Sequence, residues 1–230
     1  MTAHPLDRPV WNALTTRQRA VSVGDDRARR FASDVGSLAG TRDDDPESLR
    51  ALAELVPAAG TLIVLQVDPI AIPPGTVVVM TAPAVQMVAE RVAAPPPDAM
   101  PDPMIDRLTD DDAPAMLALA TLTKPGPFAP RTHSLGEFWG VKDRGVLVAM
   151  AGERLQHHGF TEVSGVCTHP DARGRGFARA LSAHVAARIA ARGDTPYLHA
   201  FAANTAAIAL YQSLGFALRG PVHIAAIARA

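Results

Sequence analysis

Between Phe160 and Phe216 the chain alternates compact apolar runs with helix-period segments, and a glycine-bearing turn marks most changes of state. Phe160 to Thr168 reads as a strand. Phe177 to Arg192 follows as a helix with Ala178, Leu181, Val185 and Ile189 on one face, stopped by Gly193. Tyr197 to Ala202 is the next strand, Asn204 to Leu214 a helix ended by Gly215, and Phe216 to Ala228 the final strand region. Helices of this kind have one apolar stripe and must cover a sheet, so the pattern predicts an α/β fold.

Upstream punctuation extends this reading. Ile105 to Leu108 is a candidate strand, and Thr109 or Asp110 caps a helix with Pro114 in its first turn. A Pro- and Gly-rich loop (Lys124 to Pro130) leads to a short helical segment near Arg131 to Leu135. Phe138 to Val141 and Val146 to Ala151 read as an antiparallel pair turning at Asp143-Arg144-Gly145. The clearest seam lies earlier, where Ala93 to Pro103 holds five prolines in eleven residues. Such a stretch continues neither helix nor central strand. We therefore divide the chain into a small N-terminal α/β unit (1–94), a Pro-rich linker (95–103) and a main domain (104–230). Within the first unit, Pro46 to Leu55 reads as a helix, and Thr61 to Val67 and Thr76 to Thr81 as strands. Arg27, Arg29 and Arg30 read as a solvated surface cluster, and the unit carries no chemistry-bearing motif.

Charge and cysteine content narrow the partners. The formal net charge of −1 gives no overall basic field for nucleic acid or anionic lipid. Cys167 is the only cysteine, which removes a disulfide framework and a cysteine-based zinc site. His157-His158 has no carboxylate or cysteine at ligand spacing, so no metal is expected. There is no signal-peptide pattern near Met1 and no apolar run of about 18 residues. The expectation is a soluble cytoplasmic protein.

The motif with the most chemical content is Arg173-Gly174-Arg175-Gly176-Phe177-Ala178, where the chain leaves a strand and enters a helix. Glycines there let backbone N–H groups turn inward toward an anion. The helix beginning near Phe177 adds its positive end, and Arg173 and Arg175 can supply charge-assisted bonds. Ala178 keeps the helix start close to the sheet. A dinucleotide fingerprint needs Gly or Ala where Arg179 stands, and a Walker loop needs Gly-Lys-Ser/Thr, so both rivals fail.

The phrase Thr168-His169-Pro170-Asp171-Ala172-Arg173-Gly174-Arg175-Gly176-Phe177-Ala178 resembles the acetyl-CoA-binding motif of the GCN5-related N-acetyltransferases (GNAT), written Q/R-x-x-G-x-G/A. Asn204 through Phe216 resembles the motif that follows it in that superfamily, and the C-terminal part is similar to the FR47-like branch. The resemblance covers roughly Met104 to Arg229. It implies a mixed, mostly antiparallel central sheet flanked by helices, and acetyl-CoA as cosubstrate. It further implies that backbone groups of Val166, Cys167 and Thr168 pair with the pantetheine arm. Amides from Gly174 to Arg179, including those of Arg175, Gly176, Phe177 and Ala178, would hold the pyrophosphate. Asn204 would contact the cofactor, and the Tyr211 hydroxyl would face the thioester sulfur.

On that reading Tyr211, a phenol of ordinary pKa near 10, is the acid for the departing thiolate. His199 stands where the related ribosomal-protein acetyltransferases carry a proposed glutamate base, and Glu162 on the cofactor strand competes with it. Deprotonation by solvent is the remaining option. Cys167 has no His or acid partner at a readable spacing and reads as a small buried hydrophobe rather than an acyl carrier. The expected activity is direct acetyl transfer from acetyl-CoA to the amine of a small molecule or peptide. A non-catalytic acyl-CoA sensor and an N-acyltransferase using a longer acyl group stay open, as do the acceptor and the oligomeric state, a homodimer among the options. Only fifteen residues follow Gly215, with Gly220-Pro221 among them, short for the usual final hairpin. The reading therefore expects either the N-terminal unit beside the last strand or a reduced strand count, and the resemblance leaves open that the unit, of unknown role, is a degenerate GNAT-like half, as in tandem family members.

Overall fold

The computed structural model describes residues 4–89 and 105–230, so the Pro-rich linker expected at 95–103 lies outside the described residues. Eleven strands form one sheet: β1 (Ser22–Gly24), β2 (Ala28–Phe31), β3 (Leu38–Thr41), β4 (Leu62–Gln66), β5 (Thr76–Ala89), β6 (Asp106–Leu108), β7 (Phe138–Asp143), β8 (Val146–His157), β9 (Phe160–Thr168), β10 (Thr195–Phe201) and β11 (Phe216–Arg229). Their spatial order is β1-β2-β3-β4-β11-β5-β10-β9-β8-β7-β6. Among the described residues only β3–β4 and β9–β10 pair in parallel. Segments before and after residues 90–104 thus share a single sheet, and β11 lies between β4 and β5. The N-terminal unit does pack beside the last strand, which is how so short a tail closes the sheet.

Among the described residues five α-helices complete the fold: α1 (Pro9–Thr15), α2 (Pro46–Leu55), α3 (Ala113–Thr123), α4 (Phe177–Ala191) and α5 (Thr205–Ser213). The stripe read from α4 is the buried one: Leu181, Val185 and Ile189 are each 0% exposed, packed with Val163, Leu198 and Phe216 of the sheet. Each such side chain contributes roughly 1.5–3 kcal/mol through burial. A second core joins the two ends of the chain, bringing Leu6, Val10, Leu14 and Phe31 against Leu135, Leu155 and Tyr197. The β7–β8 hairpin turns as expected, with Arg144 (φ 50°) and Gly145 (φ 80°) both left-handed. None of the helices among the described residues is long and apolar enough to cross a membrane.

Three readings need correction. Strand β5 does not stop at Thr81 but runs through Pro83 to Ala89. Pro83 sits just where β10 ceases to pair (Phe201 opposite Ala84), so a strand-breaking residue occupies an edge position. Helix α1 and strands β1–β3 went unread, because each is short. Finally, the Arg27–Arg30 cluster is not simply solvated. Arg29 is 8% exposed and donates to the Ser22 hydroxyl at 2.7 Å, while Arg27 pairs with Glu47.

Candidate active site

The site grows out of a failure of pairing. β9 and β10 run parallel only from Thr195 opposite Phe160 to Tyr197 opposite Glu162, then part. Beyond that point β9 bulges: its register against β8 skips between Ser164 and Cys167, with Gly165 left-handed at φ 63°. β10 meanwhile stays bound to β5 along its other edge. The fork opens into a cleft of about 1000 Å³.

Nearly every residue singled out from the sequence lines this one cleft. Val166, Cys167 and Thr168 come from the end of β9; Arg173 to Arg179 from the following turn and the start of α4; Asn204 and Tyr211 from α5; and His199 from β10. Gly174 (φ 76°) and Gly176 (φ 80°) hold left-handed backbone that a side chain would strain, and a Cβ on either would meet nothing within 4 Å. The glycines are thus required by backbone shape, and the face they present is open. The first i to i−4 bond of α4 runs from the Ala180 N–H to the Gly176 carbonyl at 3.0 Å. The amides of Phe177, Ala178 and Arg179 therefore have no earlier partner within the helix. Such a row of donors at a helix N-terminus fits an anion.

The flanking arginines behave differently from one another. Arg175 bonds Asp143 at 3.0 Å and lies over the Phe177 ring, and Arg179 donates to the Ser213 hydroxyl. Asn204 is an N-cap, accepting from the Ala207 N–H at 3.2 Å while its side of the helix faces the cleft. Tyr211 is 9% exposed, edge-on to Phe216, and burial pushes its phenol up to about 12. Burial likewise raises the Cys167 thiol to about 11, which keeps it un-ionised.

Glu162 does not line the cleft. It lies behind it, 0% exposed, at the centre of a polar ladder that sequence reading missed. Arg154 of β8 donates Nε–H to Glu162 Oε2 at 2.8 Å and Nη2–H to Oε1 at 2.7 Å. His199 Nδ1 lies 2.7 Å from Oε1, and the Leu155 N–H reaches Oε2 at 3.3 Å. Burial opposes the charge on Glu162, but the Arg154 guanidinium and His199 outweigh it and bring the carboxyl down to about 2. On the other side of His199, Nε2 sits 2.9 Å from Gln86 Nε2 of β5. The Gln86 carbonyl oxygen accepts from Arg219 at 2.8 Å, so its amide N–H end faces the imidazole. Arg219 occupies the β11 bulge between Leu218 and Gly220 and ends on Asp7 at 2.6 Å. With a carboxylate on one nitrogen and an amide donor on the other, His199 is placed to donate from Nδ1 and accept at Nε2. Both of its nitrogens are engaged within the protein.

The far side of the cleft is aliphatic, built by Leu38, Ile63, Leu65, Met80 and Ile224, with Pro125, Gly126 and Pro127 of the loop after α3 also lining it. Among the described residues no group of three or more His, Cys, Asp or Glu side chains could hold a metal ion. His157 is buried at the end of β8 against Phe160 and Tyr197.

Comparison with known proteins agrees with this architecture. The family model described as FR47-like protein matches residues 139–223. A search of curated proteins finds no match. Among solved structures, a protein of Novosphingobium aromaticivorans assigned to the GNAT family of acetyltransferases is 42% identical, with a TM-score of 0.91 over 99% of this chain and 100% of its own. A GCN5-related N-acetyltransferase from Kribbella flavida shares the fold at 19% identity and a TM-score of 0.59, over 95% of this chain and 92% of its own. A fork between two parallel strands, a glycine turn that bares helix-terminal amides, and a whole-length relative at this identity together make the chain a member of the GNAT superfamily.

Proposed function

We propose that the protein is an acyltransferase that uses acetyl-CoA and passes the acetyl group directly to an amine. The observation that carries this reading is the opening of the amide cradle at 174–179 into the same cleft as the Tyr211 phenol. The unpartnered amides of α4 and the left-handed glycines fit a diphosphate, with Arg173 beside them. Val166 to Thr168, beyond the bulge at Gly165, offer strand backbone to the pantetheine arm where β10 no longer pairs with them. Bound there, the thioester supplies the activated acyl group.

Magnitudes decide what Tyr211 does. Its phenol at about 12 is weaker as an acid than an ordinary thiol near 8.5, so complete transfer of its proton to sulfur is uphill by about 5 kcal/mol. Tyr211 therefore acts by donating a hydrogen bond to charge as it develops on the leaving sulfur, and water completes protonation. No alternative donor is needed from Cys167, whose thiol stays protonated and buried.

The base is where the geometry departs from the sequence expectation. The Glu162 oxygens already accept from Arg154, His199 and the Leu155 amide. Protonating His199 at Nε2 would set its new N–H against the Gln86 amide, which Arg219 holds in place. The ladder thus supports a positioning role for both residues, and the amine proton leaves to solvent. Replacing Tyr211 with Phe should leave acetyl-CoA affinity within about twofold by calorimetry and lower turnover about 10²- to 10³-fold in a thiol-release assay. Full turnover in Y211F would remove the phenol from the mechanism, and saturable binding without turnover of any amine by the wild type would favour a sensor.

A further inference from the structure

The two ends of the cleft differ in chemistry. The cradle lies on β9 and α4, whereas the aliphatic wall of Leu38, Ile63, Leu65, Met80 and Ile224 stands on β3, β4, β5 and β11, across β10. Among the described residues that line the cleft, none is Asp or Glu, and the charged ones are all arginines. Arg154 is neutralised by Glu162 from behind, so the pair presents no negative face to the cleft. An ammonium entering over this wall would lose its water and find no carboxylate to replace it, which is unfavourable. Nor could it readily shed its proton to the protein, because the Glu162 oxygens and both His199 nitrogens are already engaged. The nucleophile must therefore arrive with its lone pair free.

Resting on the transferase reading above, we infer that the acceptor is an apolar amine uncharged at neutral pH, an aryl amine by chemical class. Its ring lies on the aliphatic wall and its nitrogen faces the thioester beside Tyr211. The N–C bond forms as the C–S bond breaks. The nitrogen's surplus proton passes to water, and the released sulfur takes a proton from water. An alkylamine with an ordinary pKa near 10.4 is neutral in only about one part in a thousand at pH 7.4, so the site selects by protonation state as well as shape.

The test uses the full chain with acetyl-CoA at pH 7.4, comparing 4-ethylaniline with 4-methylbenzylamine, two amines of similar size and opposite charge state. The aryl amine should lead by at least about tenfold in kcat/KM. Met80 is 41% exposed and tolerates a charge, so Met80→Glu should move that ratio about tenfold toward the benzylamine while acetyl-CoA affinity holds. A benzylamine lead in the wild type, or an unmoved ratio in M80E, overturns the inference while leaving the transferase intact. A rate on one fixed amine that climbs from acetyl- to octanoyl-CoA, and falls back in M80E, assigns the wall to the acyl chain and overturns it equally. Acetyl-CoA binding with no turnover of any amine defeats the transferase reading and this inference with it.

Discussion

Replacing Glu162 with Gln separates a structural carboxylate from a catalytic one. Glu162 and Arg154 are 1% and 13% exposed in their side chains and share two hydrogen bonds, so the variant strands a guanidinium with little water to compensate it. Breaking a buried pair by removing one partner costs roughly 3–5 kcal/mol. For a chain of this length that corresponds to a fall in Tm of roughly 10 °C. Removing both charges, in Arg154→Met with Glu162→Gln, takes away the stranded cation and should restore most of the loss, to within about 2 kcal/mol of wild type. Denaturant unfolding gives the stabilities, and thiol release from acetyl-CoA with an accepted amine gives the rates. If the ladder only positions, the double variant turns over within about tenfold of wild type, whereas loss of a general base costs about 10²- to 10⁴-fold. A stable but inactive double variant would refute the argument, as would an E162Q protein as stable as the parent. The same pair sets an acid limit. Its folded carboxyl, at about 2, lies below the ordinary 4.5, so its stabilisation is complete above pH 4.5 and is lost as pH falls toward 2.

A second acid-sensitive group should act earlier. Burial lowers His157 from 6.5 to about 4, so its contribution is full above pH 6.5 and declines toward pH 4, by roughly 3 kcal/mol in all. Thermal scans at pH 7 and 5 should show a drop that His157→Phe reduces; an identical drop in the variant would exclude this histidine. Gly176→Ala places a side chain on left-handed backbone at a cost of about 1–2 kcal/mol and narrows the cradle, so acetyl-CoA affinity should fall at least about tenfold by calorimetry. Unchanged affinity would move the anion site elsewhere. Because the Tyr211 phenol keeps its proton until about pH 12, kcat should show no alkaline decline between pH 7 and 10, and a decline there that Y211F removes would contradict its assigned state.

What could be read from the sequence follows from how local each feature is. The cradle was legible because a left-handed turn demands glycine and a helix start demands its own spacing, both within the span from Arg173 to Ala178. Asn204 and Tyr211 share one short helix, so their common face was equally visible. The polar ladder was not. Its five side chains, from Arg154, Glu162, His199, Gln86 and Arg219, come from five neighbouring strands, and the Arg219–Gln86 bond alone joins residues 133 positions apart. Taken singly, neither Gln86 nor Arg219 carries a motif. β5 was cut short for a related reason: Pro83 is a breaker in any local reading, and only the point at which β10 lets go makes it harmless. The aliphatic wall is distributed over β3, β4, β5 and β11, and only strand order brings it to the cleft.

The placement of β11 has a consequence for how such a chain assembles. β4 and β5 follow one another in sequence with only 67–75 between them, yet each is zipped to β11 and not to the other. They cannot form a simple hairpin without shutting out the strand that belongs in the gap. Productive folding must keep that slot vacant until a segment some 150 residues downstream threads it, a long loop closure of the kind that slows β-rich proteins. Releasing β11 would cut the sheet in two and dismantle the wall at Ile224 in the same event.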